Sequence, residues 1–356
     1  MDKKELDRAI EKTVLKMAME PNNTEHYHEL AKYYAMDNQY EKVISVYESL
    51  LQIDPKDIHT LLNLGSIWFY AKEYKKALKC FNDAVIVNPS NYLTYYNLGN
   101  TYAEMKNFSK ALHYYSRTLD FNSTEPEIYN AIALLYHDFE DYVEARAYYE
   151  KALSIEPNNL TALVDLGNVC YKLFDYKQAL DYYYKVFELA PDNKTVALCI
   201  ANTLSVVKDK ENCYKYFEKA IELEGDNYKA NICYAIALSD FKDYDKAVER
   251  YKKAIEINPS EVNAYILLGN LYSNLKKYKE AEEQYREALK INKLDPSIFV
   301  LIANTYYMNN EVERSIFSYR AAVNLRPEND EYKLVFIQVL EDYIQEFRKG
   351  DLVANF

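Results

Sequence analysis

All nine prolines of this 356-residue chain fall in two slots of one 34-residue frame. Pro21, Pro55, Pro89, Pro157, Pro191, Pro259 and Pro327 differ by multiples of 34, and Pro126 and Pro296 each lie three residues after that slot. No insertion or deletion shifts the phase between Pro21 and Pro327. A period of that size predicts stacked helical hairpins, each too small to bury its apolar face alone. The repeat therefore overrides the two or three globular domains that length alone suggests.

Composition agrees with a chain that is helical almost throughout. There are six glycines and no Ser- or Pro-rich linker, as expected where both residues are costly inside helices. Tyrosine is unusually common, with 38 copies. Its ring fills a core while its hydroxyl stays at a wet edge, which suits narrow helical layers. A net charge of −12 opposes nucleic-acid binding, which needs clustered Lys and Arg. No stretch approaches the roughly 20 apolar residues that cross a membrane. The opening MDKKELDRAIEKTVLKMAME lacks the apolar core of a signal peptide, so a cytoplasmic location is expected. Cys80, Cys170, Cys199, Cys213 and Cys233 are odd in number and form no C-x-x-C pair. They read as small apolar residues of a reducing compartment. Cys199 and Cys233, one period apart, would sit on helices about 8–10 Å apart, too far for an unstrained disulfide.

Repeats starting at 24, 58, 92, 126, 160, 194, 228, 262 and 296 expose the packing code. The eighth position is Ala31, Gly65, Gly99, Ala133, Gly167, Ala201, Ala235, Gly269 and Ala303, never larger than Ala. The twentieth is Val43, Ala77, Ala111, Ala145, Ala179, Cys213, Ala247, Ala281 and Ser315. The twenty-fourth is Tyr or Phe in every repeat, from Tyr47 to Tyr319. Small and large slots at fixed offsets predict two helices that interlock. Before each start stands Asn23, Asp57, Asn91, Glu125, Asn159, Asn193, Asn227, Glu261 or Asp295, with Asn329 before a last helix. Most are N-cap formers, worth about 1 kcal/mol each. Three junctions lack the main proline, with Ser123, Gly225 and Lys293 in its place. The first and last gain Pro126 or Pro296 at the first helical position, and the middle one keeps a glycine stop.

These residues carry a resemblance to the tetratricopeptide repeat family. Residues 94–122, TYYNLGNTYAEMKNFSKALHYYSRTLDFN, and 264–292, AYILLGNLYSNLKKYKEAEEQYREALKIN, follow its pattern through Leu98-Gly99, Tyr102, Ala111 and Tyr115, or Leu268-Gly269, Tyr272, Ala281 and Tyr285. The likeness covers 24–329 as nine repeats. Residues 1–23 are expected as an N-terminal half-repeat helix, with Leu6, Ile10, Val14 and Met17 on one side, and 330–356 as a capping helix and tail. Charges at Glu331, Lys333, Glu341, Asp342 and Glu346 are expected to give that cap a polar outer face. The family implies an all-α fold, a right-handed α-solenoid of antiparallel helix pairs whose groove, lined by the first helix of each pair, binds peptide segments. The repeat at 194–227 departs furthest, with Ala197, Lys210 and Cys213 in family slots, and reads as drift, a softer joint or a specialised site.

No enzyme signature is present. The glycines are scattered, and there is neither a phosphate loop, nor G-x-S-x-G, nor H-E-x-x-H. No cofactor is implied. His28, His59 and Glu25 are the sole conceivable metal cluster, against the plainer reading of surface histidines.

In the family arrangement, positions two, five, six, nine, twelve and thirteen of each first helix face the groove. Val164, Leu198, Ile232, Ile266 and Val300 make an aliphatic row at position five. Amides follow at Asn63, Asn97, Asn100, Asn168, Asn202, Asn270 and Asn304. An amide offers a donor and an acceptor to a peptide backbone, or else braces neighbouring helices. The row either contacts a ligand or is buried between repeats. The C-terminal half of the groove thus reads as apolar with amides, the N-terminal half as more polar and charged. No fifth position is Lys and no sixth is Lys or Arg, so the family's clamp for acidic chaperone tails is absent. The expected function is a non-catalytic scaffold binding a peptide segment of a protein partner. The rivals are a structural subunit using edges or convex face, and a recruiting or regulatory partner of an enzyme encoded elsewhere.

Overall fold

A computed structural model of the chain describes residues 2–225 and 227–354, without the side chains of 224, 346, 347 and 349–354. Among the described residues every element is an α-helix. The first-type helices are α2 (Thr24–Met36), α4 (Ile58–Tyr70), α6 (Tyr92–Glu104), α8 (Pro126–Asp138), α10 (Leu160–Lys172), α12 (Lys194–Val206), α14 (Tyr228–Asp240), α16 (Val262–Asn274) and α18 (Pro296–Met308). The second-type helices are α3 (Tyr40–Ile53), α5 (Tyr74–Val87), α7 (Phe108–Phe121), α9 (Tyr142–Ile155), α11 (Tyr176–Leu189), α13 (Lys210–Glu224), α15 (Tyr244–Ile257), α17 (Tyr278–Ile291) and α19 (Val312–Leu325). Helix α1 (Lys3–Met19) precedes them and α20 (Asp330–Ala354) follows. The chain forms two compact bodies, Met1–Tyr182 and Tyr183–Phe356. In each, a first-type helix packs against the second-type helix that follows it, and consecutive pairs stack.

Capping chemistry sets the starts. The side chains of Asn23, Asp57, Asn91, Asn159, Asn193, Asn227 and Asp295 accept backbone N–H groups at the starts of α2, α4, α6, α10, α12, α14 and α18. Asn329 does the same for α20, accepting from the Tyr332 N–H at 3.0 Å. Glu125 and Glu261 make no such bond, because their longer side chains do not fold back as Asn and Asp do. Gly225 closes α13 with φ of +72°, a left-handed stop that glycine adopts without strain.

First-type helices end in a way that composition concealed. Asn38, Lys72, Lys106, Glu140, Phe174, Lys208, Lys242, Lys276 and Asn310 all take φ between 56° and 64°. The next N–H reaches back to a carbonyl five residues earlier, as in Glu73 to Trp68 and Lys277 to Tyr272, each at 2.9 Å. This is a left-handed helix stop built without glycine.

The core is the interlock of positions eight, twenty and twenty-four, all buried in every repeat. A Cβ added at Gly65, Gly99 or Gly269 would lie 2.5 Å from the ring of Phe81, Tyr115 or Tyr285 in the same repeat. The two outer helices differ from expectation. In α1, Leu6 and Thr13 are buried and Ile10 and Met17 pack on the first core cluster, but Val14 is 43% exposed. In α20, Val339 and Phe336 pack against Ala303 and Tyr319. Its outer side is not polar, since Leu334, Ile337 and Ile344 are exposed beside Glu331 and Glu341. Ile337 takes the eighth position, where every other repeat is small, and no second-type helix packs over it among the described residues. The side chain of Glu346 lies outside the described residues.

Candidate partner-binding groove

A cavity of about 420 Å³ lies wholly within the N-terminal body. Its wall is built from successive first-type helices. Phe69 comes from the end of α4, and Tyr96, Asn100, Ala103 and Glu104 from α6. Helix α8 supplies Glu127, Asn130, Ala131, Leu134 and Asp138, and α10 supplies Thr161 and Asp165. Each of these occupies position two, five, six, nine, twelve or thirteen of its repeat. Tyr115, Leu135 and Asn159 complete the lining. The 3.6-residue helical turn brings those positions to one face, and the 34-residue period brings that face to the same side in each repeat.

The cavity is acidic. Glu104, Glu127, Asp138 and Asp165 line it, and no Lys, Arg or His does among the described residues. Asp138 has an exposed partner, Lys106, at 3.2 Å. Burial pushes the Asp165 carboxyl above the usual carboxylate range, and the nearby His137 imidazole offsets only part of that. The Oδ1 of Asn130 is shielded from solvent and accepts no hydrogen bond. Apolar surface is present too, with Leu134 51% exposed beside Tyr96.

Of the twelve sequence candidates only Asn100 lines this cavity. The Tyr115 hydroxyl donates to its Oδ1 at 2.7 Å, and the Tyr285 hydroxyl does the same to Asn270 at 2.7 Å. Tyr319 donates likewise to Asn304. Asn63 donates to the Tyr47 hydroxyl at 3.3 Å. In these residues the amide braces the fold. Asn97 and Asn168 are half-buried. The aliphatic row divides by depth. Val164 in the N-terminal body is half-buried. In the C-terminal body Leu198 and Ile232 are buried, Ile266 is half-buried, and Val300 packs on the cluster of Ala303, Tyr319 and Val339.

His28 Nε2 lies 2.6 Å from Asp57 Oδ2, tying one repeat to the N-cap of the next. No group of three metal-ligating side chains exists among the described residues. All five cysteines are free, and burial pushes the Cys80 and Cys170 thiols up to about 11. No described helix is long and apolar enough to cross a membrane.

Comparisons with known proteins agree with this architecture. Profiles described as tetratricopeptide repeat match residues 92–125, 124–192 and 262–293, and one described as TPR repeat matches 242–276. A search of curated proteins found no significant match. Among solved structures, a tetratricopeptide repeat protein from Parabacteroides merdae is similar at 16% identity and a TM-score of 0.55, over 70% of this chain and 98% of that one. Pseudomonas aeruginosa pilF is similar at 18% identity and a TM-score of 0.50, over 59% of this chain and 97% of that one. With the repeat matched by profile, by helix pairing and by its small-against-large interlock, the chain belongs to the tetratricopeptide repeat family.

Proposed function

We propose that this protein is a non-catalytic interaction scaffold that holds a peptide segment of a partner in the cavity on α6, α8 and α10. One observation carries the reading: nearly every wall residue comes from the groove-facing positions of consecutive first-type helices. Such a surface offers a lengthwise track, which suits a segment better than a folded domain. Leu134 and Tyr96 provide apolar area, stabilising a bound side chain by about 25 cal/mol per Å² removed from water. Glu104, Glu127 and Asn130 provide polar contacts that fix register. The free cysteines, three of them buried, fit a cytoplasmic setting.

The test is capture from native lysate with cross-linking, comparing the natural chain with Leu134→Arg, which fills the cavity from an exposed position. The expected result is loss of the captured protein with unchanged melting. Equal capture would move the binding surface to the edges or the second-type helices.

A further inference from the structure

We infer that this cavity selects a basic segment, seating a Lys or Arg side chain among Asp165, Glu127, Glu104 and the Asn130 amide oxygen. This rests on the groove reading above and adds the chemistry of the occupant. Three independent features converge on it. The wall holds four carboxylates; Lys106 pairs with Asp138 and the His137 imidazole acts on Asp165, but among the described residues no ion pair within 4 Å reaches Glu104, Glu127 or Asp165. Asp165 is a half-buried carboxylate to which no donor is bound among the described residues, a costly arrangement that the His137 imidazole relieves only in part. The Asn130 Oδ1, also on the wall, is a shielded acceptor with no donor.

The geometry favours an organic cation over a metal ion. No three of these side chains converge closely enough to hold a metal among the described residues. A guanidinium spreads five N–H donors over a plane and so reaches dispersed acceptors, and its face stacks on an aromatic ring such as Tyr96 or Phe69. Lysine supplies three donors on a flexible stem that buries against Leu134. An acidic segment meets four like charges and is rejected, which makes the cavity a specificity filter.

The test pans a displayed random dodecapeptide library against the full chain and measures synthetic copies of the retained peptides by fluorescence anisotropy. Retained peptides should be enriched in Lys and Arg. Their affinity should fall at least tenfold in Asp165→Asn with Glu127→Gln, with melting unchanged or raised. Glu211→Gln with Glu222→Gln, exposed on α13 and not part of the cavity lining, should leave affinity intact. Equal loss in that second pair would mean bulk attraction to an acidic chain and overturn the inference. Peptides without basic bias that are nevertheless released by Leu134→Arg would also overturn it, while leaving the groove reading in place. Peptides indifferent to every variant, or none retained, would overturn both.

Discussion

Replacing Gly99 by Leu drives the first carbon of the new side chain to 2.5 Å from Cδ1 and Cε1 of Tyr115. Ordinary contact begins near 3.4 Å, so the ring must retreat by roughly 1 Å before the rest of the leucine is placed. Tyr115 is 2% exposed and has little room. Its hydroxyl is also held by Asn100 at 2.7 Å, and a retreat of that size stretches this bond out of range. Overpacking together with the lost bond should cost about 2–4 kcal/mol. Tyr115→Ala alone should cost about 3–5 kcal/mol through the cavity it leaves. In the double variant the leucine enters the space vacated by the ring, so the combined loss should fall short of the sum by about 1–3 kcal/mol. Urea unfolding gives the totals. Hydrogen exchange over α6 to α9 shows whether the loss is local, as expected when each repeat mainly contacts its neighbours. Additivity within about 0.5 kcal/mol would refute the claim that positions eight and twenty-four interlock.

Three smaller perturbations probe other links. Ser315 occupies a slot where most repeats have Ala, and its hydroxyl is buried without a hydrogen bond, so Ser315→Ala should stabilise by about 1 kcal/mol in thermal melting. Asp165 has a raised folded-state pKa, caused first by burial, so the folded chain holds its proton to higher pH than the unfolded chain does. The resulting cost is absent below the unfolded value of about 3.9 and complete above the folded one. Asp165→Asn should therefore melt higher than the natural chain at pH 7 and match it near pH 3, and an equal gain at both pH values would disprove the cause. Lys72 is exposed at φ of 61°, where an L-residue is strained, and Lys72→Gly should raise stability by up to about 1 kcal/mol by urea unfolding after glycine's greater unfolded entropy is counted.

The fold was legible because its determinants are local and repeated. Proline and Asn/Asp at fixed offsets marked helix ends, and Gly or Ala facing an aromatic marked the helix contact. Less visible was the left-handed stop of the first-type helices. It is filled by Lys, Asn, Glu and Phe rather than Gly, so no residue type announces it. The ends misled for a related reason: charge letters at Glu331 and Glu341 are consistent with a polar face, yet Leu334 and Ile337 share that exposure.

The groove was legible in position but not in content. Aliphatic residues repeat at position five, and repetition at helical spacing cannot separate a groove wall from the seam between repeats. Leu198 and Ile232 are buried. The ninth-position amides suit either a ligand contact or a helix brace, and the Oδ1 atoms of Asn100, Asn270 and Asn304 each accept from the tyrosine of their own repeat. The acidic cavity carried a signal that was available: Glu104, Glu127, Asp138 and Asp165 fall at positions thirteen, two, thirteen and six of consecutive repeats. Counted along the chain they are ordinary surface charges, and only the superposed frame gathers them on one face.

The most direct measurement places a benzophenone amino acid at position 134, on the cavity wall, or at position 143, exposed on the second-type helix α9. After irradiation in the native cell, mass spectrometry maps the linked partner residues. If α6, α8 and α10 hold a partner's peptide, position 134 yields an adduct on one short segment containing Lys or Arg, and position 143 yields none. Adducts from position 143 alone, or from 134 onto many unrelated segments, would contradict it.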